Sequence, residues 1–231
     1  MAKEKICYYC GKKASSREHV PPKCIFLDSV DGKKNKNNLI TVPSCYEHNT
    51  AKQKDDEYFR FVLIMSIKSS GIKGKIDIQP FFRAMEKSKY VFSLFIRNPK
   101  EVYVIEEGSK LLVPTIAYEP DLVRLHKIIE QVSRAIYYYN YKKIFIGKIN
   151  ITNDGTMSLQ DEAANKVLES LSIVFDKEPD VFPYQGENQD IFKYKLINIG
   201  NKYYLKMVYY GSNSIIVRMI EEKNLTTAST L

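Results

Sequence analysis

The pattern of apolar positions is clearest after residue 120. Apolar residues recur there at alternating steps of three and four along Leu122–Tyr139, which predicts a long amphipathic helix that begins at Asp121. Ile144–Ile151 is typical of a strand, and a capping residue at Ser158 predicts a helix through Leu171. Three further strands are predicted near the C-terminus: Phe192–Ile197, Lys202–Tyr210 and Ser214–Ile220.

The N-terminal part of the chain alternates short extended runs with polar segments. Arg17–Val20 and Leu39–Val42 predict two strands, separated by a polar run at residues 31–38. Pro43 and Ser44 then offer a helix start. From Cys45 onward the pattern predicts a helix that continues to about residue 68.

Short β-branched and aromatic runs at Glu101–Glu107 and Lys110–Pro114 predict a hairpin around Gly108. The elements together predict an α+β protein. Residues 1–68 would form one module, and residues 69–231 an accessory domain of mixed helix and antiparallel sheet that binds substrate or a partner protein. No run of about eighteen apolar residues occurs, and the N-terminus enters a cysteine motif directly, so we expect a cytoplasmic protein without a membrane segment.

The chain is basic, with 35 Lys and Arg against 27 Asp and Glu and a formal net charge of +8. Most of the excess lies in residues 1–54, which contain eleven Lys and Arg and five Asp and Glu. A basic surface suits a polyanion, because each neutralised phosphate releases counterions. The same charge is equally typical of an ordinary soluble surface, so it favours a nucleic-acid partner without identifying one.

All four cysteines lie in the first fifth of the chain, where clustered thiols in a reducing compartment hold metal more often than they form disulfides. Cys7 and Cys10 are separated by two residues, and so are Cys45 and His48. This spacing lets both ligands of a tight turn converge on one tetrahedral ion, and the two pairs together predict a structural Cys3His zinc site. Cys24 lies beside apolar residues and is interpreted as a small core residue, with replacement of His48 as fourth ligand as the alternative.

Between the two metal half-sites, residues 18–22 read Glu-His-Val-Pro-Pro and residues 38–43 read Asn-Leu-Ile-Thr-Val-Pro. Asn49 follows the second half-site directly, and Lys52 lies about one helical turn further. This order resembles HNH endonucleases of the ββα-metal type, in the branch with a structural zinc. The chain departs from that pattern in having Glu18 where aspartate is commoner, and His48 where cysteine is commoner.

The resemblance implies a zinc-stapled ββα-metal module, in which a two-stranded hairpin and the following helix cradle one catalytic divalent ion. It makes His19 the general base at the end of the first strand and Glu18 the acidic ligand of a catalytic Mg²⁺ or Mn²⁺. Asn38 would open the second strand and brace the loop that carries the base. Asn49 would face the same ion from the helix, and Lys52 would face the phosphate.

The later helix and strands loosely resemble the C-terminal region attached to some small bacterial HNH proteins. Some HNH proteins belong to phage-defence or restriction loci, so the resemblance also implies a role in defence.

Hydrolysis of a phosphodiester needs an activated water and positive charge close to the developing charge on the phosphate. A neutral imidazole can activate the water, and a hard divalent ion held by oxygen ligands can provide the charge. We therefore expect a metal-dependent HNH endonuclease that hydrolyses DNA, with zinc tying the hairpin to the helix. The alternatives are an RNA-cleaving nuclease and a catalytically inactive zinc-finger module that binds nucleic acid; assembly into a homo-oligomer is left open.

Overall fold

The computed structural model describes residues 4–66, 75–87, 93, 95–105, 111–158, 160–177 and 182–222. Within these ranges the chain forms four α-helices, two short 3-10 helices and three antiparallel sheets, which confirms the predicted α+β class. None of the helices in these ranges has the length and the apolar composition that crossing a membrane requires.

The N-terminal segment contains a short hairpin followed by a helix. Strand β1, Ser16–His19, pairs antiparallel with β2, Thr41–Ser44, and the 3-10 helix Lys23–Ile25 lies in the connection between them. A second 3-10 helix, Thr50–Lys52, leads into α1, Gln53–Met65. This chain order places the end of β1 and the start of α1 at the same side of the hairpin, where the candidate site lies.

The predicted boundaries around β2 are wrong by a few residues. Pro43 and Ser44 were expected to start a helix, but both belong to β2, which is shifted by two residues toward the C-terminus from the predicted strand Leu39–Val42. The reason is a long-range contact that the local pattern does not contain. The carbonyl oxygen of Pro43 accepts a hydrogen bond of 2.9 Å from the backbone N–H of Tyr8, so this proline serves as an acceptor at a strand edge.

The helix predicted from Cys45 begins later, at Gln53, because residues 45–49 form a turn that carries two of the metal-ligating side chains. The helix ends at Met65, since Ser66 adopts an extended conformation with φ −63° and ψ 133°. The predicted continuation through residues 67–68 lies outside the described residues.

A helix and a second hairpin follow in the middle of the chain. Helix α2, Gln79–Lys87, has no counterpart in the sequence prediction. Strands β3, Arg97–Ile105, and β4, Leu112–Glu119, form an antiparallel pair that confirms the predicted hairpin. Its predicted turn at Gly108 lies outside the described residues.

The long amphipathic helix is confirmed as α3, Leu122–Tyr141. It begins at a side-chain cap, in which Oδ1 of Asp121 accepts a hydrogen bond of 3.1 Å from the backbone N–H of Arg124. It ends where Lys142 adopts a left-handed φ of +56°. Most of its predicted apolar stripe is buried, including Leu125, Ile129, Val132 and Ile136.

Four strands form the largest sheet: β5, Gly147–Asn153; β6, Phe192–Ile199; β7, Lys202–Tyr209; and β8, Asn213–Glu221. Their order is β5-β8-β7-β6, so the predicted C-terminal meander is confirmed and β5 pairs with β8 at one edge. Helix α4, Glu162–Val174, follows β5 in the chain and is capped by the side chain of Asp161.

One continuous core joins the N-terminal segment to α3 and the large sheet. The rings of Phe59 in α1 and Tyr209 in β7 meet edge to face with centroids 5.4 Å apart. The hydroxyl of Tyr210 donates a buried hydrogen bond of 2.8 Å to the carbonyl oxygen of Ile25. The predicted division into residues 1–68 and 69–231 stays a prediction, but the candidate site lies within a core that both parts build.

Candidate metal centre and adjoining acid–histidine site

Two turns bring four metal-binding side chains to one point. The sulfur atoms of Cys7, Cys10 and Cys45 and a ring nitrogen of His48 all lie within 4.8 Å of one another. The Cys10 and Cys45 sulfurs are 3.8 Å apart, and Nδ1 of His48 lies 3.8 Å from the sulfur of Cys7 and 3.2 Å from that of Cys45.

These distances fit a tetrahedral zinc ion. Bonds of about 2.3 Å to sulfur and about 2.0–2.1 Å to nitrogen place two sulfurs about 3.8 Å apart, and a sulfur and a nitrogen about 3.5 Å apart. The three separations given above lie around both values, and none of the six exceeds 4.8 Å. The four residues could therefore hold a structural metal ion such as zinc, as the sequence predicts.

Backbone hydrogen bonds shape the first turn and tie it to the hairpin. The N–H of Gly11 donates a hydrogen bond of 3.1 Å to the carbonyl oxygen of Cys7. The N–H of Cys7 donates one of 2.7 Å to the carbonyl oxygen of Lys12. Gly11 has a φ of +74°, in the left-handed region, where residues other than glycine are strained. Because Tyr8 also bonds to Pro43 in β2, the first pair of ligands is held next to the second pair, which follows β2.

The surroundings shift the pKa values of the cluster's ligands in different directions, and burial raises the pKa of the Cys10 thiol. Burial opposes ionisation of the Cys7 thiol, but backbone hydrogen bonds, among them one from Cys10, outweigh it and lower the pKa of this thiol. Burial also lowers the pKa of His48, which keeps the imidazole neutral. Cys24 is not part of the cluster: its thiol donates to the carbonyl oxygen of Asp56 at 3.5 Å, and burial raises its pKa to about 12.

Helix α3 supports the cluster from outside. The ring of Tyr9 stacks on that of His48 with centroids 4.2 Å apart, and its hydroxyl donates to Glu130 at 3.3 Å. The guanidinium of Arg134 lies 5.1 Å from the centre of the Tyr9 ring and also donates to Glu130 at 2.8 Å. A partner outside the ligand set therefore fixes the orientation of the histidine ligand.

A buried cluster of three charges lies next to the end of β1. The ammonium of Lys52, whose side chain is only 4% exposed, lies 2.7 Å from Glu18 and 2.5 Å from Asp56. Burial raises the pKa of Glu18 to about 7, although the positive charge of Lys52 opposes this shift. Burial also raises the pKa of Asp56; Lys52 opposes this shift, and the negative charges of Asp55 and Glu57 add to it.

His19 lies at the end of β1, opposite Thr41, and is partly buried. Burial lowers its pKa, and the positive charges of Lys23 and Arg17 lower it further. The imidazole is therefore neutral at pH 7 and is able to accept a proton.

The two asparagines that the resemblance singles out lie on either side of β2 in the chain. The amide nitrogen of Asn49 donates to the hydroxyl of Ser16 at 2.8 Å and to the carbonyl oxygen of Arg17 at 3.2 Å, so it links the start of the helical segment to β1. Asn38 is exposed, with a left-handed φ of +54°, three residues before β2.

Glu18, His19 and Lys52 share a narrow recess of about 10 Å³ whose other wall is α3. Gln131 of α3 lines this recess together with apolar residues of the same helix.

The sequence analysis did not identify Gln131 and Asp56 as site residues. Signals for both exist: Asp56 lies four residues after Lys52 on one helical face, and Gln131 interrupts an otherwise apolar face between Ile128 and Ala135.

Glu18 and Asn49, the predicted ligands of a catalytic cation, both make contacts within the protein. Lys52 neutralises the carboxylate of Glu18, and the amide nitrogen of Asn49 is directed at β1. In the part of the chain that the structure describes, the one grouping of three or more His, Cys, Asp or Glu able to hold a metal is the Cys3His cluster. The site is thus a candidate metal centre beside a neutral histidine and a buried ion pair.

Comparison with known proteins adds no relative: no family model, no curated protein and no solved structure matches this chain.

Proposed function

We propose that this protein is an HNH-type endonuclease that hydrolyses DNA, with His19 as its general base. The observation that carries the proposal is the neutral, partly buried imidazole of His19 at the rim of the recess that contains Glu18 and Lys52. The Cys3His cluster lies in the same short segment and would hold the hairpin and the helix start in place when it binds zinc. A neutral histidine that shares a recess with a carboxylate and an ammonium is suited to proton transfer.

In the proposed reaction His19 removes one proton from a water molecule as the water oxygen attacks phosphorus. A new phosphorus–oxygen bond forms, and the bond to the leaving ester oxygen breaks with its electron pair. The imidazolium or solvent then returns a proton to the leaving oxygen, so that charge and atoms balance. Lys52 holds Glu18 in position beside His19.

A divalent cation, Mg²⁺ or Mn²⁺, is part of the proposal as a source of positive charge at the phosphate when it is bound. Because Glu18 is paired with Lys52, we assign no ligand set to this ion. Its contribution is measured by comparing cleavage in metal-depleted buffer with cleavage after addition of Mg²⁺ or Mn²⁺, because a strong chelator would also remove a structural zinc ion.

Exposed lysines in the connection between β1 and β2 would contact the phosphate backbone. Lys33, Lys34 and Lys36 are exposed, although Lys34 also lies 2.8 Å from Asp28. Lysine ammonium groups bind phosphates as point charges and do not read base edges in a bidentate way. We therefore propose binding that depends strongly on salt and weakly on sequence.

The test is cleavage of supercoiled plasmid and of structured RNA by the wild type and by His19→Ala. We expect plasmid cleavage by the wild type and a loss of at least about a hundredfold in rate for His19→Ala, because a general base contributes that much. His126→Ala is the matched control. His126 is a partly exposed histidine in α3 that bonds to Asp154 at 2.9 Å, outside the recess, and this variant should cleave normally.

Other outcomes distinguish the alternatives. Cleavage of RNA alone would make the protein a ribonuclease that uses the same site. Binding of nucleic acid without cleavage, unchanged in His19→Ala, would make the protein a zinc-finger binding module.

A role in phage defence extends the proposal: cells that express the wild type should resist phage infection, and cells that express His19→Ala should not.

A further inference from the structure

Gln131 contains a buried hydrogen-bond acceptor that the described part of the chain leaves without a donor. The residue is 6% exposed, and its side-chain oxygen Oε1 has no hydrogen-bond partner among the described residues. The next buried polar residue of α3 differs in this respect, because the hydroxyl of Ser133 donates to the carbonyl oxygen of Ile129 at 2.7 Å. An unpaired buried amide is unfavourable, so such a group in a folded protein usually binds an ordered water or a ligand.

The space beside Gln131 has the size and the polarity of a site for one water. Gln131, Glu18, His19 and Lys52 all line the recess, whose volume is about 10 Å³. A buried water needs a volume of about 10–15 Å³ on this scale and two to four polar partners. The recess provides an amide oxygen, an imidazole, a carboxylate and an ammonium, whereas the apolar residues of α3 leave little room for a second water.

We propose that Gln131 is a positioning residue whose Oε1 accepts a hydrogen bond from a single ordered water in this recess, within reach of His19. The assignment of this water as the nucleophile rests on the proposed nuclease function; the water site itself does not. One proton of the water is directed at Gln131 and the other at the imidazole. A lone pair of the water oxygen is then left for attack on phosphorus.

A glutamine suits this role better than an acidic residue would. An amide oxygen accepts a hydrogen bond but is far too weakly basic to take the proton, so it does not compete with His19. A carboxylate at this position would add a third negative charge beside Glu18 and Asp56, which already share one ammonium. Gln131 therefore orients the water without changing the charge of the site.

The first experiment is a crystal structure of the full-length protein at a resolution that shows ordered waters. We expect a water within hydrogen-bond distance of Gln131 Oε1 in the wild type and no water there in Gln131→Met. Methionine has a similar volume and no amide, so this variant should fold. A recess without bound water in the wild type would overturn the proposal, whether or not the protein cleaves nucleic acid.

The second experiment measures plasmid cleavage by Gln131→Met. We expect kcat to fall by about tenfold to a hundredfold, as for the loss of one hydrogen bond to a reacting group, with KM for DNA unchanged within about twofold. Ser133→Ala, which removes a neighbouring hydroxyl that bonds within α3, is the control and should keep the wild-type kcat.

A wild-type kcat in Gln131→Met would refute the positioning role even if the water is present. If the wild type cleaves neither polymer, the proposed function fails and the catalytic role fails with it, whereas the crystal structure still decides the water site. If Gln131→Met does not fold, Gln131→Leu replaces it in the cleavage assay, and the wild-type crystal structure still shows whether the water is bound.

Discussion

Replacing Lys52 with methionine should destabilise the folded protein by about 3–5 kcal/mol at pH 8, the usual cost of removing one partner from a buried ion pair. The side chain of Lys52 is 4% exposed and lies 2.7 Å from Glu18 and 2.5 Å from Asp56. Methionine fills a similar volume, so the loss would come from two carboxylates left without a counter-charge. For a chain of this length it corresponds to a fall in Tm of roughly 6–20 °C.

The loss should be smaller at pH 5. Burial already raises the pKa of Glu18 to about 7 with the ammonium present, and removing Lys52 would raise the pKa values of Glu18 and Asp56 further. Between the ordinary carboxyl pKa values and the raised ones there is a pH window. Within it the folded variant would bind more protons than the unfolded chain. Stability falls as the pH rises through that window. At pH 5 Glu18 is therefore neutral and Asp56 is closer to neutral than at pH 8, so the missing ammonium costs less.

Urea denaturation followed by far-UV circular dichroism, at pH 5 and at pH 8, measures both effects. Lys54→Met is the control, because Lys54 is exposed and its replacement should change stability by less than about 0.5 kcal/mol. A triple variant, Lys52→Met with Glu18→Gln and Asp56→Asn, should recover most of the stability, since no unpaired charge remains. A loss below about 1 kcal/mol at pH 8, or an equal loss at both pH values, would refute a buried charge cluster.

Two further variants test the metal centre and the shared core. Cys10→Ser should lower the zinc content, measured by inductively coupled plasma mass spectrometry, from one ion per chain to near zero and unfold the N-terminal segment; unchanged zinc would contradict the Cys3His assignment. Tyr210→Phe should cost about 1–2 kcal/mol in urea denaturation, because it removes the buried hydrogen bond to Ile25, and an unchanged midpoint would contradict that contact.

The elements that the sequence predicts well are those whose signal is local. The stripe of Leu125, Ile129, Val132 and Ile136 has the helical period because one face of α3 is buried along its length. The metal cluster was predictable for a related reason. Two ligands separated by two residues in a tight turn converge by local geometry, whatever the rest of the chain does.

The predictions that were wrong or missing concern contacts between distant residues. Pro43 is a helix-start signal by local rules, yet it lies in β2 because Tyr8 binds its carbonyl oxygen. Asp56 is missing from the predicted site, although it is the second acceptor of the buried Lys52 ammonium. The sequence shows that a lysine and an aspartate lie one turn apart, but not that β1 and α3 cover them.

Helix α3 explains why the site depends on residues far from it in the sequence. Arg124, near its start, donates to Asp55 of α1 at 2.7 Å, and Glu130 accepts from Tyr9, 121 positions away, beside the metal ligands. Gln131 lies next to Glu130 and faces the recess of His19. One rigid helix therefore contacts the start of α1, the metal cluster and the candidate base. The hairpin on one side and α3 on the other set the distance between the metal cluster and His19. Substitutions in α3 should therefore alter the geometry of the site even when every proposed nuclease residue is kept.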